Sequence, residues 1–185
     1  MTDKNVSIMN IGSMGYLPQV FKKIENEKKL NIVYLGGSIT MGCNATKTEL
    51  RYVDRSAKWW QTNFPDAEIS YFNAGIGATT SQFGVARVQE HVLDKQPDLV
   101  FVEFSVNDSS SPLFMETYES LVRRLLKAES VKAVVLINNL FYDTGTNAQG
   151  IHNAIGLHYD LPIVSVRNYI FPEIQLGNVC LADYT

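Results

Sequence analysis

The stretch NIVYLGGSITMG, residues 31–42, decides the fold class. It begins with a nearly continuous apolar run, which is typical of a strand that is buried on both faces of a sheet. The run leads through Gly36 and Gly37 to Ser38, so a bare hydroxyl follows directly on a buried strand. In a parallel sheet, the loop after each strand emerges at the carboxyl edge, where ligands bind. The stretch therefore predicts a parallel α/β fold with a polar site after this strand.

The rest of the chain alternates similar apolar runs with longer segments of helical spacing. Such alternation gives right-handed crossovers and a parallel sheet between two helical layers. We therefore predict an α/β three-layer sandwich, flavodoxin-like, with a five-stranded parallel sheet and helices on both faces. The predicted strands are 31–36, 68–75, 98–108, 132–139 and 161–166, and the predicted helices are 17–29, 51–63, 81–94, 114–129 and 147–159. No repeat or linker divides the chain, so residues 1–185 are predicted to form a single domain.

The composition argues against several classes of function. A formal net charge of -3 and a pI near 5.6 give no basic surface for nucleic acid or an anionic membrane. No window approaches the ~18 consecutive apolar residues of a spanning helix, and the N-terminus lacks a signal-peptide pattern. We therefore expect a cytoplasmic chain without a nucleic-acid or membrane partner. Cys43 and Cys180 lack zinc-ligand spacing, so we expect two reduced thiols, no metal and no other cofactor.

Three loops at the predicted carboxyl edge carry a serine, a glycine and an asparagine, namely Ser38, Gly75 and Asn107. A serine oxygen that attacks an ester carbonyl creates an oxyanion, which fixed hydrogen-bond donors must stabilise. The backbone N–H groups of Ser38 and Gly75 and the side-chain amide of Asn107 are suitable donors. This arrangement predicts acyl transfer, with Ser38 as the nucleophile and Gly75 and Asn107 in the oxyanion hole.

The same loops resemble the sequence blocks of the SGNH or GDSL-type hydrolases, a family named for Ser, Gly, Asn and His in four blocks. GGSIT (36–40) resembles the first block, NAGIGATTS (73–81) the second and VEFSVND (102–108) the third. Gly37 replaces the Asp of the GDS form, which resembles a bacterial GGSIT subgroup often associated with carbohydrate esters. The resemblance implies a serine esterase, a deacetylase or related acylhydrolase, that acts on a small-molecule ester such as an acylated carbohydrate.

The fourth block of the family, Asp-x-x-His, is not found in the 185 residues. In the family, the His of this block removes the serine proton and the Asp holds the His. The tail EIQLGNVCLADYT (173–185) resembles the segment that precedes the block, so we expect a chain that stops short of it. An alternative alignment makes Asp183 the Asp of the block. His152, on the predicted helix 147–159, is the alternative base, and without a base we expect slow ester hydrolysis at best.

Three neighbours of the central residues are candidates for substrate binding, namely Gly37, Thr40 and Asp108. Each also has a structural interpretation. Thr40 can support the turn after Ser38, and Asp108 can cap or orient its own loop.

Two other catalytic or binding motifs are excluded because particular residues do not match them. Gly37 and Gly42 have the spacing of a phosphate-binding loop, but Cys43 and Asn44 stand where its lysine and hydroxyl residue belong. The α/β-hydrolase elbow fails because Thr40 occupies its second glycine position. A non-catalytic domain of the same fold that binds a small molecule or carbohydrate remains the alternative function, because a fold does not by itself imply an activity.

Overall fold

The computed structural model describes residues 3–179, so Cys180 and Asp183 lie outside the described residues. Within that range the chain forms one six-stranded sheet: β1 (Ile8–Asn10), β2 (Lys29–Gly36), β3 (Glu68–Gly75), β4 (Leu99–Glu103), β5 (Ala133–Asn138) and β6 (Ile163–Ser165). The strand order is β1-β6-β5-β4-β2-β3. All neighbouring pairs from β6 to β3 are parallel, whereas β1 pairs antiparallel with β6.

Seven α-helices of the described residues accompany the sheet: α1 (Leu17–Glu27), α2 (Ser38–Met41), α3 (Tyr52–Asn63), α4 (Ser81–His91), α5 (Pro112–Leu126), α6 (Gln149–His158) and α7 (Val166–Gln175). The buried residues of α1 and α3 pack in one core cluster, and those of α4, α5 and α6 pack in another. The predicted three-layer sandwich with helices on both faces is therefore confirmed. None of the helices in residues 3–179 is long and apolar enough to span a bilayer.

The two core clusters follow from the period-2 pattern of the strands. In β2, Val33 and Leu35 belong to the cluster under α4, α5 and α6, whereas Ile32 and Tyr34 belong to the cluster under α1 and α3. Successive side chains of a strand point to opposite faces, so an unbroken apolar run buries both. The strand order places β2 between β3 and β4, so its carboxyl end lies between the carboxyl ends of these two strands.

The sheet has six strands, and the predicted count of five is wrong because β1 was not recognised. This strand contains three residues, two of them exposed, and so lacks the apolar run of the parallel strands. β4 is also shorter than the predicted segment 98–108. It stops at Glu103 because the carbonyl of Phe104 accepts the N–H groups of Asn107 (3.1 Å) and Asp108 (2.9 Å), which turns the chain.

Candidate active site

Ser38 stands at the first position of the one-turn helix α2, directly after β2. The N–H of Gly37 donates to the carbonyl of Glu103 on β4 (3.3 Å), which fixes the start of the loop. The carbonyl of Ser38 accepts the N–H groups of Gly42 (3.0 Å) and Cys43 (2.9 Å), which close the turn. The N–H of a first helical residue has no acceptor within its own helix. Ser38 is half-buried, and its hydroxyl has no hydrogen-bond partner among residues 3–179.

Gly37 is the point at which the Asn107 loop meets the Ser38 loop. A Cβ atom added to Gly37 would lie 2.7 Å from Asn107 Oδ1, so the asparagine side chain occupies the space that glycine leaves open. The backbone of Asn107 is held by its bond to Phe104, while its side-chain amide bonds to no residue in the described range. The structure therefore brings Asn107 next to the residue that precedes Ser38, with an amide donor available.

The second glycine-rich loop also reaches Gly37. The carbonyl of Thr79 lies 3.3 Å from the same added Cβ position, and the N–H of Ile76 donates to the carbonyl of Gly36 (3.1 Å). The Thr79 hydroxyl donates to the carbonyl of Ile76 (2.7 Å) and closes this segment as a turn. All three loops that the sequence analysis singled out are thus neighbours at the carboxyl edge of the sheet.

Gly75 has different surroundings from those expected for an oxyanion donor. Its N–H donates to Asn73 Oδ1 (2.9 Å), and Asn73 Nδ2 donates to the carbonyl of Thr40 (2.8 Å). A Cβ atom on Gly75 would lie 2.2 Å from the backbone nitrogen of Met41. Gly75 therefore lets α2 pack against β3, and its N–H is occupied by the Asn73 side chain. Gly75 is thus not the expected oxyanion donor, because a side-chain acceptor two residues earlier takes its N–H.

Ala78 is the residue of this turn that the sequence analysis missed. Its φ of +57° lies in the left-handed region, which costs a non-glycine residue about 1–2 kcal/mol. The N–H groups of Gly77 and Ala78 have no acceptor in the part of the chain that the structure describes. They are therefore unpaired donors in the loop that reaches Gly37. An alanine gives no signal for a left-handed backbone, and only the neighbouring glycines marked the turn.

Thr40 and Asp108 are buried, so neither side chain faces the open site. Thr40 is 0% exposed, and its hydroxyl bonds to the hydroxyl of Tyr52 (2.8 Å). Asp108 is 6% exposed and accepts the N–H of Ser81 at the start of α4 (2.9 Å). Its second oxygen lies 3.0 Å from His152 Nε2. These contacts give both residues supporting roles within the scaffold in place of the predicted contact with substrate.

None of the three histidines of the sequence forms a hydrogen bond with Ser38. His152 is fully buried, and its ring stacks on Tyr118 with centroids 3.6 Å apart. Burial lowers the pKa of His152, and the hydrogen bond to Asp108 opposes this shift in part. His91 lies against Arg87, and His158 contacts Tyr159 at the end of α6. The alternative in which His152 replaces the family histidine is therefore not supported, because its ring is fully buried against Asp108 and Tyr118.

Glu103 places a carboxyl group below the loops, at the end of β4. The residue is 1% exposed, and its Cα is the register partner of Gly36. Burial raises the pKa of Glu103 to about 7, although the hydroxyl of Ser105 donates to it (3.2 Å) and opposes the shift. No role was predicted for Glu103, because a single glutamate at the end of an apolar strand matches no recognisable motif.

A cavity of about 640 Å³ borders α2 at Ile39. Its floor is the sheet face formed by Phe101, Val135, Ile137 and Val164, and polar residues such as Arg55 and Asn139 line its walls. The cavity borders Ile39 but not Ser38 or Asn107, so it adjoins the candidate site without including it. No group of three His, Cys, Asp or Glu side chains within residues 3–179 could hold a metal ion.

Comparison with known proteins identifies the class to which this fold and site belong. The GDSL-like Lipase/Acylhydrolase family matches residues 34–165, which include all three loops. The chain therefore belongs to the GDSL-like lipase/acylhydrolase family, and the resemblance to SGNH hydrolases is confirmed. Among curated proteins, none matches the chain.

Several solved structures share the fold. A two-domain esterase (CEX) active on acetylated mannans superposes with a TM-score of 0.97 and 45% sequence identity, over 100% of this chain. The acetylxylan esterase Axe2 from Geobacillus stearothermophilus has a TM-score of 0.68 and 19% identity, over 83% of each chain. AlinE4, an SGNH-hydrolase family esterase, has a TM-score of 0.63 and 19% identity, over 85% of each chain. At such low identity the last two show the fold alone. This chain spans 50% of the length of the mannan-active esterase.

Proposed function

We propose that residues 1–185 form a single catalytic domain of a serine esterase that removes acetyl groups from acetylated carbohydrates. The observation that carries this proposal is the 45% identity over the whole chain to an esterase active on acetylated mannans. The proposal is specific about the bond that breaks, which is the ester between an acetyl group and a sugar hydroxyl. The products are acetate and the free hydroxyl, and acyl transfer through serine needs no cofactor or metal.

In this proposal the Ser38 hydroxyl oxygen attacks the acetyl carbonyl, and the sugar oxygen leaves from the resulting tetrahedral intermediate with the proton that the serine gave up to the base. A water molecule then hydrolyses the acetyl–Ser38 ester, which releases acetate and restores the serine hydroxyl. The half-buried hydroxyl has no competing partner among the described residues, which leaves it available for attack. At the first position of α2 the backbone N–H of Ser38 has no acceptor within the helix, so it is free to donate to the developing oxyanion.

We assign the oxyanion hole to the Ser38 N–H, the Asn107 side-chain amide and an N–H of the Gly77–Ala78 turn. The assignment is supported by the approach of both loops to Gly37 and by the unpaired donors in each. Gly75 is replaced as a donor by this turn, because its own N–H is already bonded to Asn73. Fixed donors of this kind stabilise the oxyanion without reorganising during the reaction.

The Ser38 proton must be accepted during attack, and none of the three histidines of the sequence bonds to Ser38. We propose that the base is the histidine of an Asp-x-x-His pair like that of the family. Such a pair is not found in residues 1–185, so this chain alone should acylate slowly. Added imidazole is a soluble base of the same chemical type and should accelerate the step.

The experiment that tests this function is deacetylation of an acetylated manno-oligosaccharide with imidazole present. We expect acetate release that Ser38→Ala abolishes and that Asn107→Ala reduces about 10²–10³-fold, because one oxyanion donor is lost. Ser109→Ala is the matched control, since this exposed hydroxyl lies in the same loop as Asn107. Saturable binding of the oligosaccharide with the same acetate release from Ser38→Ala as from the unmodified chain would instead indicate a non-catalytic binding domain.

A further inference from the structure

Arg87 is a buried cation without an acidic partner. It lies on α4 and is 6% exposed. No carboxylate among residues 3–179 lies within 4.0 Å of its guanidinium group, whereas Arg51 on α3's N-terminal side is paired with Asp54. Burial lowers the pKa of Arg87 to about 10. Burying a charge without an opposite charge beside it costs free energy of folding. The hydrogen bonds of the guanidinium group therefore need a role that offsets this cost.

The guanidinium group is bonded to the carboxyl ends of two neighbouring strands. Nη1 donates to the carbonyl of Ala74 on β3 (2.7 Å), and Nη2 donates to the carbonyl of Gly36 on β2 (3.1 Å). Nη1 also lies 3.2 Å from Nδ1 of His91, one turn further along α4. The Nε atom is buried and has no partner in the described range. The guanidinium group therefore joins the carboxyl ends of β2 and β3 by hydrogen bonds.

These two strand ends lead directly into the site. Gly36 is two residues before Ser38, and Ala74 precedes the segment of Gly75 to Thr79 that turns back to Gly37. Gly36 and Gly75 form the last register pair of β2 and β3, so the regular pairing of the two strands ends there. Beyond this pair the loops are joined by the N–H of Ile76, which donates to the carbonyl of Gly36 (3.1 Å), the same oxygen that Arg87 Nη2 bonds. A planar, bidentate guanidinium is the side chain that can fix two carbonyls at once.

We propose that Arg87 is a positioning residue that sets the spacing between the Ser38 loop and the Gly75–Thr79 turn. The proposal rests on the proposed function for its catalytic consequence but not for its structural one. Arg87 does not contact the reacting atoms. It fixes Gly36 and Ala74, and through them the distance between the serine oxygen and the backbone donors of the turn.

The structural consequence is tested by amide hydrogen exchange on the 185-residue chain without substrate. Arg87→Met removes both hydrogen bonds, and Arg87→Lys keeps the charge but cannot bridge two carbonyls. We expect exchange in the peptides covering residues 36–42 and 74–80 to become roughly tenfold faster or more, because charged hydrogen bonds are lost. Peptides from α5 and β5 should be unaffected.

Arg124→Met is the matched control for loss of an arginine-to-carbonyl bond. Arg124 Nη1 donates to the carbonyl of Val85 on the same helix α4 (3.0 Å), but it contacts neither strand end. Arg124→Met should leave exchange at 36–42 and 74–80 as in the unmodified chain. Where Arg87→Met does not fold, Arg87→Lys supplies the same comparison with the charge retained.

The catalytic consequence is measured as the rate of acetylation of Ser38 by an activated acetyl ester with imidazole present. We expect Arg87→Lys to lower the maximal rate about tenfold or more with little change in the half-saturating ester concentration, because misplacement of reacting groups is costly. Unchanged exchange in both loops of a folded Arg87 variant would overturn the proposal. Faster exchange with an unchanged maximal rate would also overturn it, because Arg87 would then stabilise the loops without affecting the reaction. If the unmodified chain acetylated no serine, the exchange result would still decide the positioning claim while the proposed function failed.

Discussion

His152 Nε2 lies 3.0 Å from Asp108 Oδ2, and both side chains are completely enclosed. The other oxygen of Asp108 accepts the N–H of Ser81, so one carboxylate joins α6, the start of α4 and the loop after β4. Tyr118 of α5 stacks on the imidazole and completes this layer. Because Asn107 directly precedes Asp108, the pair holds the loop that carries a proposed oxyanion donor.

His152→Ala should lower the free energy of unfolding by about 3 kcal/mol, measured by urea denaturation at pH 7. It opens a cavity against Tyr118 and leaves Asp108 Oδ2 without its partner. His158→Ala is the control on the same helix. Its side chain is exposed, so the change should stay within about 0.5 kcal/mol. If folded His152→Ala lost Ser38 acetylation as completely as Ser38→Ala does, His152 would be the base after all.

Glu103→Gln should stabilise the protein more at pH 8 than at pH 5. The pKa of Glu103 is raised by burial to about 7, so the folded state holds a proton that the unfolded state has already released. This contribution to stability is fully present below the ordinary pKa and is lost as pH rises through 7. Glutamine stays neutral at both values. The difference in unfolding free energy between variant and unmodified chain should therefore increase from pH 5 to pH 8.

Comparing the unfolding free energies of Glu103→Gln and the unmodified chain at each pH also separates the effect of Glu103 from that of His152. The pKa of His152 is lowered by burial, so its contribution to stability decreases as the pH falls below its ordinary value, in the opposite direction. That contribution is present in both proteins and largely cancels. Glu116→Gln, at an exposed position on α5, is the surface control. A difference that shrinks toward pH 8 would contradict the assigned pKa direction.

Gly37→Ala should reduce Ser38 acetylation about 10²–10³-fold while the protein remains folded. The added methyl group would lie 2.7 Å from Asn107 Oδ1, so the asparagine must move away from the site and one donor is displaced. The effect should not add to that of Asn107→Ala, because both changes remove the same donor. Acetylation kinetics of the two single variants and the double variant provide the measurement.

Gly150→Ala is the matched control, since nothing lies within 4 Å of its added Cβ and it stands on α6. It should leave acetylation unchanged and raise stability by about 0.4–1 kcal/mol, because alanine loses less conformational freedom on folding than glycine does. Equal losses of acetylation in Gly37→Ala and Gly150→Ala would show that contact with Asn107 is not the cause.

The sequence predicted the sheet well because parallel strands that are buried on both faces leave continuous apolar runs. β2 and β5 fall close to their predicted bounds for this reason. β1 was missed because it has only three residues, two of them exposed, and so leaves no such run. α7 was missed because Pro172 interrupts its helical pattern, although Ser165 caps its start by accepting the N–H of Asn168.

The site was predictable as a meeting of three loops but not in its details. Parallel topology alone places Ser38 and Asn107 at one edge. The pairing of Gly75 with Asn73, and the left-handed Ala78, depend on local hydrogen bonds and backbone angles that residue types do not specify. Arg87 was beyond reach for a different reason, since its role depends on which strand ends its helix happens to cross.

The most direct test of the esterase account is mass-spectrometric location of the acetyl group after reaction with an activated acetyl ester and imidazole. One acetyl group is expected on Ser38 and none in Ser38→Ala, with hydrolysis of that ester-linked group as the slower step. An acetyl group located on another residue, or equal acetylation of the unmodified chain and Ser38→Ala, would contradict it.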